Sequence, residues 1–183
     1  MLYHSTRGTE EPRNFNEVLH SGLAGDGGLF VPKFIPRVDE KTLAQWRHLS
    51  YERLAVEIIS LFSGDCFSKS ELNEIVHMSY SGFKNDLKSP LIKLDDNHYF
   101  LELFHGPTFA FKDFAMQVIA RMFANTLRKK NLKLNIVTAT SGGTGSAAVE
   151  AFKDVSNVNL YVLYPHERIS QIQRMQMTTS NAR

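Results

Sequence analysis

The chain has 183 residues, 43% hydrophobic and 22% charged, with a formal net charge of +2, the make-up of a globular chain that buries a core of one or two domains. Its densest basic run, Arg128, Lys129, Lys130 and Lys133, falls where a helix should end and reads as a solvated helix terminus, so no nucleic-acid partner is expected. The single cysteine, Cys66, excludes an internal disulfide, the seven histidines offer no metal-ligand spacing, and no apolar run approaches the ~20 residues of a membrane span.

The first residues, MLYHSTRGTEEPRNF, carry acids and no apolar centre, unlike a signal peptide, so a reducing, cytoplasmic setting is expected. Apolar residues at Phe15, Val18, Leu19 and Leu23 predict a helix that stops at Gly25, Gly27 and Gly28; the glycines, with Asp26, read as a tight turn into a strand over 29–31. Helices follow around Leu43 and Trp46, and from Tyr51 to Phe62 behind a Ser50 cap. Ser68 and Glu71 form a capping-box pattern ahead of Leu72, Ile75 and Val76. Residues 1–88 are therefore expected to form a mostly helical lobe.

After Pro90 the period changes. LIKL and HYFLELF predict two strands joined at Asp95, Asp96 and Asn97, and a helix is expected from Phe109 to Lys129 with Phe111, Phe114, Val118, Met122 and Phe123 at core spacing. LNIVTAT, GSAAVEAF and VNLYVLYP then alternate as strand, helix and strand, which implies a parallel sheet, and SQIQRMQMTTS reads as one more helix. The strand that this alternation demands next lies past Arg183, leaving Ile169, Ile172 and Met175 without an expected partner. Residues 89–183 thus read as the first part of an α/β domain that continues further.

Two motifs carry chemistry. In ELFHGPTFAFKDFAMQ, Lys112 stands at a helix start among phenylalanines. Apolar surroundings and the positive end of the helix dipole both disfavour an ammonium, which makes the amine nucleophilic enough to hold an aldehyde as a Schiff base. An ordinary lysine snorkelling to solvent fits the same pattern, and Asp113 beside it reads as a first-turn acid. In TATSGGTGSAA, Ser141, Gly142, Gly143, Thr144 and Gly145 form a strand-to-helix turn. Converging N–H groups and the helix dipole make it an anion site for a phosphate or a carboxylate, beyond the carboxyl end of a parallel strand where open α/β sheets place ligands.

Together with YHSTRG, GLAGDGGLFVP and YPHERISQIQRMQMTT, these segments resemble threonine synthase over nearly the whole chain. The resemblance implies a tryptophan-synthase-like, fold-type II pyridoxal-phosphate domain behind an N-terminal lobe, with pyridoxal phosphate on Lys112. It implies conversion of the small molecule O-phosphohomoserine, with water, to threonine and phosphate. The substrate carboxylate would be held by Ser141, Gly142, Gly143, Thr144 and Gly145. The family usually has an acid where this chain has Gly143, which points to altered substrate choice or weakened activity. Family members are much longer, and their cradle for the cofactor phosphate would lie past Arg183, so these 183 residues alone are expected to be inactive. A phospho-lyase releasing a keto acid and a non-catalytic scaffold are the rival readings.

Overall fold

Backbone pairing begins at the start of the chain. In the computed structural model, which describes residues 1–180, Leu2–Ser5 (β1) pairs antiparallel with Arg13–Asn14 (β2) on one edge and Phe30–Pro32 (β3) on the other. This three-stranded sheet adds to the helices expected of the lobe, and of its strands the sequence predicts only the one over 29–31. β1 and β2 span four and two residues, too short for alternation to show in sequence. Tyr3 and Ser5 face inward, and the Tyr3 hydroxyl donates to the carbonyl of Phe62 at 2.8 Å.

Asp26 closes this sheet. Its Oδ1 accepts from Ser5 Oγ at 2.6 Å and from Gly28 N at 2.9 Å, while Oδ2 accepts from Thr9 Oγ1 at 2.7 Å and Thr9 N at 3.2 Å. The hydroxyls of Ser5 and Thr9 hold its carboxyl well below the usual range. A side chain on Gly28 would collide with Ser5 Oγ, which explains why the expected tight turn needs a glycine there.

The chain divides into two compact units, Met1–Val76 and His77–Arg183. The first also holds α1 (Phe15–Ser21), α2 (Glu40–Trp46), α3 (Tyr51–Ser63) and most of α4 (Lys69–Tyr80). Each start has its cap. Asn14 and Glu17 form a capping box on α1, Ser50 Oγ accepts from Arg53 N on α3, and Ser68 Oγ accepts from Glu71 N while Glu71 reaches back to Ser68 N on α4. α1 ends two residues before Leu23, at Gly22 with φ 69°.

In the second unit Leu91–Lys93 (β4) and Tyr99–Leu101 (β5) form an antiparallel hairpin whose turn is held by Asp95 Oδ1, which accepts from Asn97 N and His98 N. Then come α5 (Asp113–Lys130), β6 (Leu134–Ala139), α6 (Gly143–Phe152), β7 (Val158–Leu163) and α7 (Gln171–Thr178). β6 and β7 pair in parallel from Leu134 opposite Val158 to Ala139 opposite Leu163, as the strand–helix–strand reading expects. One face of this pair is covered, with Leu134, Ile136 and Leu160 packed on a core of Ala120, Leu127, Ala151, Phe152, Val155 and Val158. On the other face Val137, Tyr161 and Leu163 are exposed. α5 begins four residues later than expected, because Phe109 takes a left-handed φ of 61°, and Phe111 is exposed rather than in the core. Among the described residues no helix is long and apolar enough to cross a membrane.

Replacing Asp26 with alanine is expected to lower the melting temperature at neutral pH. A carboxylate whose folded-state pKa is depressed stabilises above its unfolded value of 3.8 and loses that contribution as pH falls through the folded one, so the difference from wild type shrinks on acidification. Thermal melts of both chains at neutral pH and at about pH 3 check this.

Candidate active site

The stretch from Gly106 to Lys112 is a folded loop. Phe109 N donates to Gly106 O at 3.2 Å and Asp113 N to Ala110 O at 3.0 Å, two successive turns that deliver the chain into α5. Lys112 is the N-cap residue, in αR conformation, with its carbonyl accepting from Met116 N at 2.9 Å. Its side chain is half-buried and its Nζ lies 4.5 Å from the centre of the Phe111 ring, a position that combines an apolar neighbour with the positive end of a helix.

Asp113 is more than the first-turn acid its position suggests. It is fully buried, its Oδ2 accepts from Thr108 N at 2.8 Å, and its Oδ1 accepts from Thr108 Oγ1 at 2.7 Å. Burial raises its pKa, against the lowering effect of the Thr108 hydrogen bonds. Gly106 lies against it so closely that an added Cβ would stand 2.6 Å from the Asp113 Cβ. The signal in the sequence was the glycine and the threonine upstream of the acid, read together.

The second motif forms the turn from β6 into α6. Thr140 anchors it to the sheet through its N–H, which donates to Leu163 O at 2.9 Å. Its Oγ1 accepts from the N–H groups of both Gly142 and Gly145, each at 3.1 Å. This divides the five candidate residues. Gly142 and Gly145 are buried and use their amides within the turn, whereas the amides of Ser141, Gly143 and Thr144 have no partner among the described residues. Three free N–H groups at the start of a ten-residue helix, beside the hydroxyls of Ser141 and Thr144, favour an anion.

Shape requires glycine at two of the three positions. Gly142 has φ 147°, and a Cβ there would collide with the Gln173 side chain. A Cβ on Gly145 would stand 2.5 Å from Thr140 Cγ2 and 2.6 Å from Met177 Sδ. Around Gly143 nothing lies within 4 Å of an added Cβ, so packing does not compel the loss of an acidic side chain there. Gln173 and Met177 belong to α7, and so does Gln176, whose Nε2 donates to Thr108 O of the lysine loop at 3.3 Å. α7 therefore touches both loops. Among the described residues no group of His, Cys, Asp and Glu could hold a metal ion.

Residues 2–80 match the family model for the threonine synthase N terminus. Threonine synthase of Pseudomonas aeruginosa is 43% identical over 179 residues, covering 98% of this chain and 38% of that protein. Threonine synthase-like 2 of Mus musculus is 42% identical over 180 residues, covering 98% and 37%. Among solved structures, pyridoxal-phosphate-bound threonine synthase from Brucella melitensis superposes with a TM-score of 0.93 at 40% identity, over 97% of this chain and 38% of that one. The yeast enzyme gives 0.91 at the same identity and coverage. The parallel strand–helix–strand unit, preceded by a lysine at a helix start, has the fold of the N-terminal portion of fold-type II pyridoxal-phosphate enzymes. The chain thus matches the N-terminal portion of the threonine synthases along nearly its whole length, and it spans about 38% of the length of these relatives.

The glycines give a pair of opposite expectations. Gly145→Ala should destabilise the fold by about 1–3 kcal/mol through overpacking against Thr140 and against Met177 of α7, whereas Gly143→Ala should stay within about 0.5 kcal/mol of wild type. Chemical denaturation of the two variants separates them, and equal effects would contradict the placement of α7 on the turn.

Proposed function

We propose that this chain supplies the cofactor lysine and the substrate-carboxylate loop of a threonine synthase, which turns O-phosphohomoserine and water into L-threonine and phosphate. The observation that carries the reading is the join between two chemically distinct loops. A lysine at a helix start and a turn with three amides unpartnered among the described residues are both braced by α7. Similarity to threonine synthases along nearly the whole chain supports the same assignment.

The donor set suits pyridoxal phosphate: Lys112 offers a primary amine, half-buried beside an aromatic ring at the start of α5, of the kind that forms a Schiff base with an aldehyde. When bound, pyridoxal phosphate supplies an electron sink for charge developing at the substrate's α carbon. Lys112 would hold the cofactor and, once displaced by substrate, carry protons at the α and β carbons as phosphate departs. Ser141, Gly143 and Thr144 would hold the substrate carboxylate through amides and hydroxyls, with Gly142 and Gly145 shaping the turn. A fixed carboxylate orients the α carbon toward the amine and removes rotational freedom before reaction. A cytoplasmic setting belongs to the same reading, supported by the single cysteine.

The test is a chimera in which this chain replaces the matching part of the Pseudomonas aeruginosa relative. It is expected to bind pyridoxal phosphate and to release threonine and phosphate in equal amounts from O-phosphohomoserine, with Lys112→Ala abolishing turnover. Phosphate release with a keto acid in place of threonine would make it a phospho-lyase. A properly folded chimera that binds no cofactor would refute the assignment.

Within that chimera, Thr144→Val should weaken substrate binding by about tenfold to a hundredfold, the cost of hydrogen bonds to a charged group, with cofactor content unchanged. Loss of cofactor with substrate affinity retained would show that the loop holds the cofactor phosphate instead.

A further inference from the structure

Lys112 is built into the chain with few direct restraints of its own. Its side chain makes the ring contact with Phe111, and as an N-cap residue it offers no side-chain hydrogen bond to the helix. What holds the segment in front of it is Thr108. All three of that residue's polar groups are used: N–H and Oγ1–H go to the two oxygens of Asp113, and the carbonyl accepts from Gln176 Nε2. Asp113 in turn is fully buried and backed by Gly106, where any side chain would collide with it.

A buried carboxylate is costly unless its oxygens are satisfied. Satisfying it with two groups of one upstream residue folds the loop back on the first turn of α5. The loop then cannot unwind without stranding the acid. Since Lys112 lies between Thr108 and Asp113 in the chain, its backbone is clamped from both sides. We propose that Asp113 is the positioning residue for Lys112: through Thr108 it closes the Gly106–Lys112 loop and so fixes where the amine is presented, with Gln176 of α7 as the second anchor.

The catalytic meaning of this clamp rests on Lys112 being the cofactor lysine, but its geometry can be tested without cofactor. Competitive labelling of the full chain with trace acetic anhydride, read lysine by lysine by mass spectrometry, reports how each amine is presented. Lys41 and Lys133, both exposed, serve as internal references. Asp113→Asn puts an amide NH2 against one Thr108 donor, and Thr108→Val deletes the hydroxyl while keeping the backbone bond. Thr108→Ser restores the hydroxyl.

Labelling of Lys112 relative to the references is expected to rise about threefold to tenfold in Asp113→Asn and in Thr108→Val, the range set by one lost hydrogen bond. It should stay near wild type in Thr108→Ser. If Asp113→Asn does not fold, Thr108→Val decides alone. An unchanged Lys112 rate in Thr108→Val would overturn the proposal. So would a rise in Thr108→Ser as large as in Thr108→Val, or a uniform rise at every lysine, which would mean that the contact holds the whole unit rather than the amine. Absence of cofactor from Lys112 in the chimera would refute the proposed function and leave this labelling result standing.

Discussion

The contact of one short helix with two loops organises the candidate site. α7 donates from Gln176 to the lysine loop and presses Gln173 and Met177 against the glycine turn. The loops come from different parts of the chain, one following the β4–β5 hairpin and the other following β6. Without a shared support each could shift independently, and a displacement of about an ångström is enough to cost an enzyme much of its rate. The constraint explains the pattern of glycines. Gly145 lets α6 approach α7, Gly142 takes a backbone conformation closed to other residues, and Gly143, facing open space, is free to vary.

Electrostatics follow from the same geometry. At the lysine loop, polar groups are turned inward on one another: Thr108 and Asp113 satisfy each other and leave the amine of Lys112 beside an aromatic ring. At the turn the arrangement is the reverse. Thr140 takes up the two amides that shape it, and those of Ser141, Gly143 and Thr144 have no partner among the described residues at the positive end of α6. One loop is internally closed beside an amine, and the other presents its amides outward.

The sequence showed these features unevenly, for physical reasons. Elements governed by local signals were legible: the Ser50 and Ser68 caps, the hairpin around Asp95 and the parallel β6–β7 pair all form where spacing and turn chemistry place them. β1 and β2 were not, because short strands draw their stability from pairing across the chain rather than from their own pattern. The start of α5 was misplaced because Phe109 adopts a left-handed turn that few non-glycine residues take. In the site, Lys112 and the glycine turn stood out by composition. Asp113, Gln173 and Gln176 did not, since a first-turn acid and two glutamines on a polar helix are commonplace until tertiary contacts give them partners.

The central claim is that Lys112 is the amine that carries the cofactor. Borohydride reduction of the chimera loaded with pyridoxal phosphate, followed by peptide mass mapping, tests it most directly, because reduction makes the bond between amine and cofactor permanent. The expected result is a single modified peptide containing Lys112. Modification of another lysine, such as Lys84 beside the Phe109 ring, or of none in protein that holds the cofactor, would contradict the account.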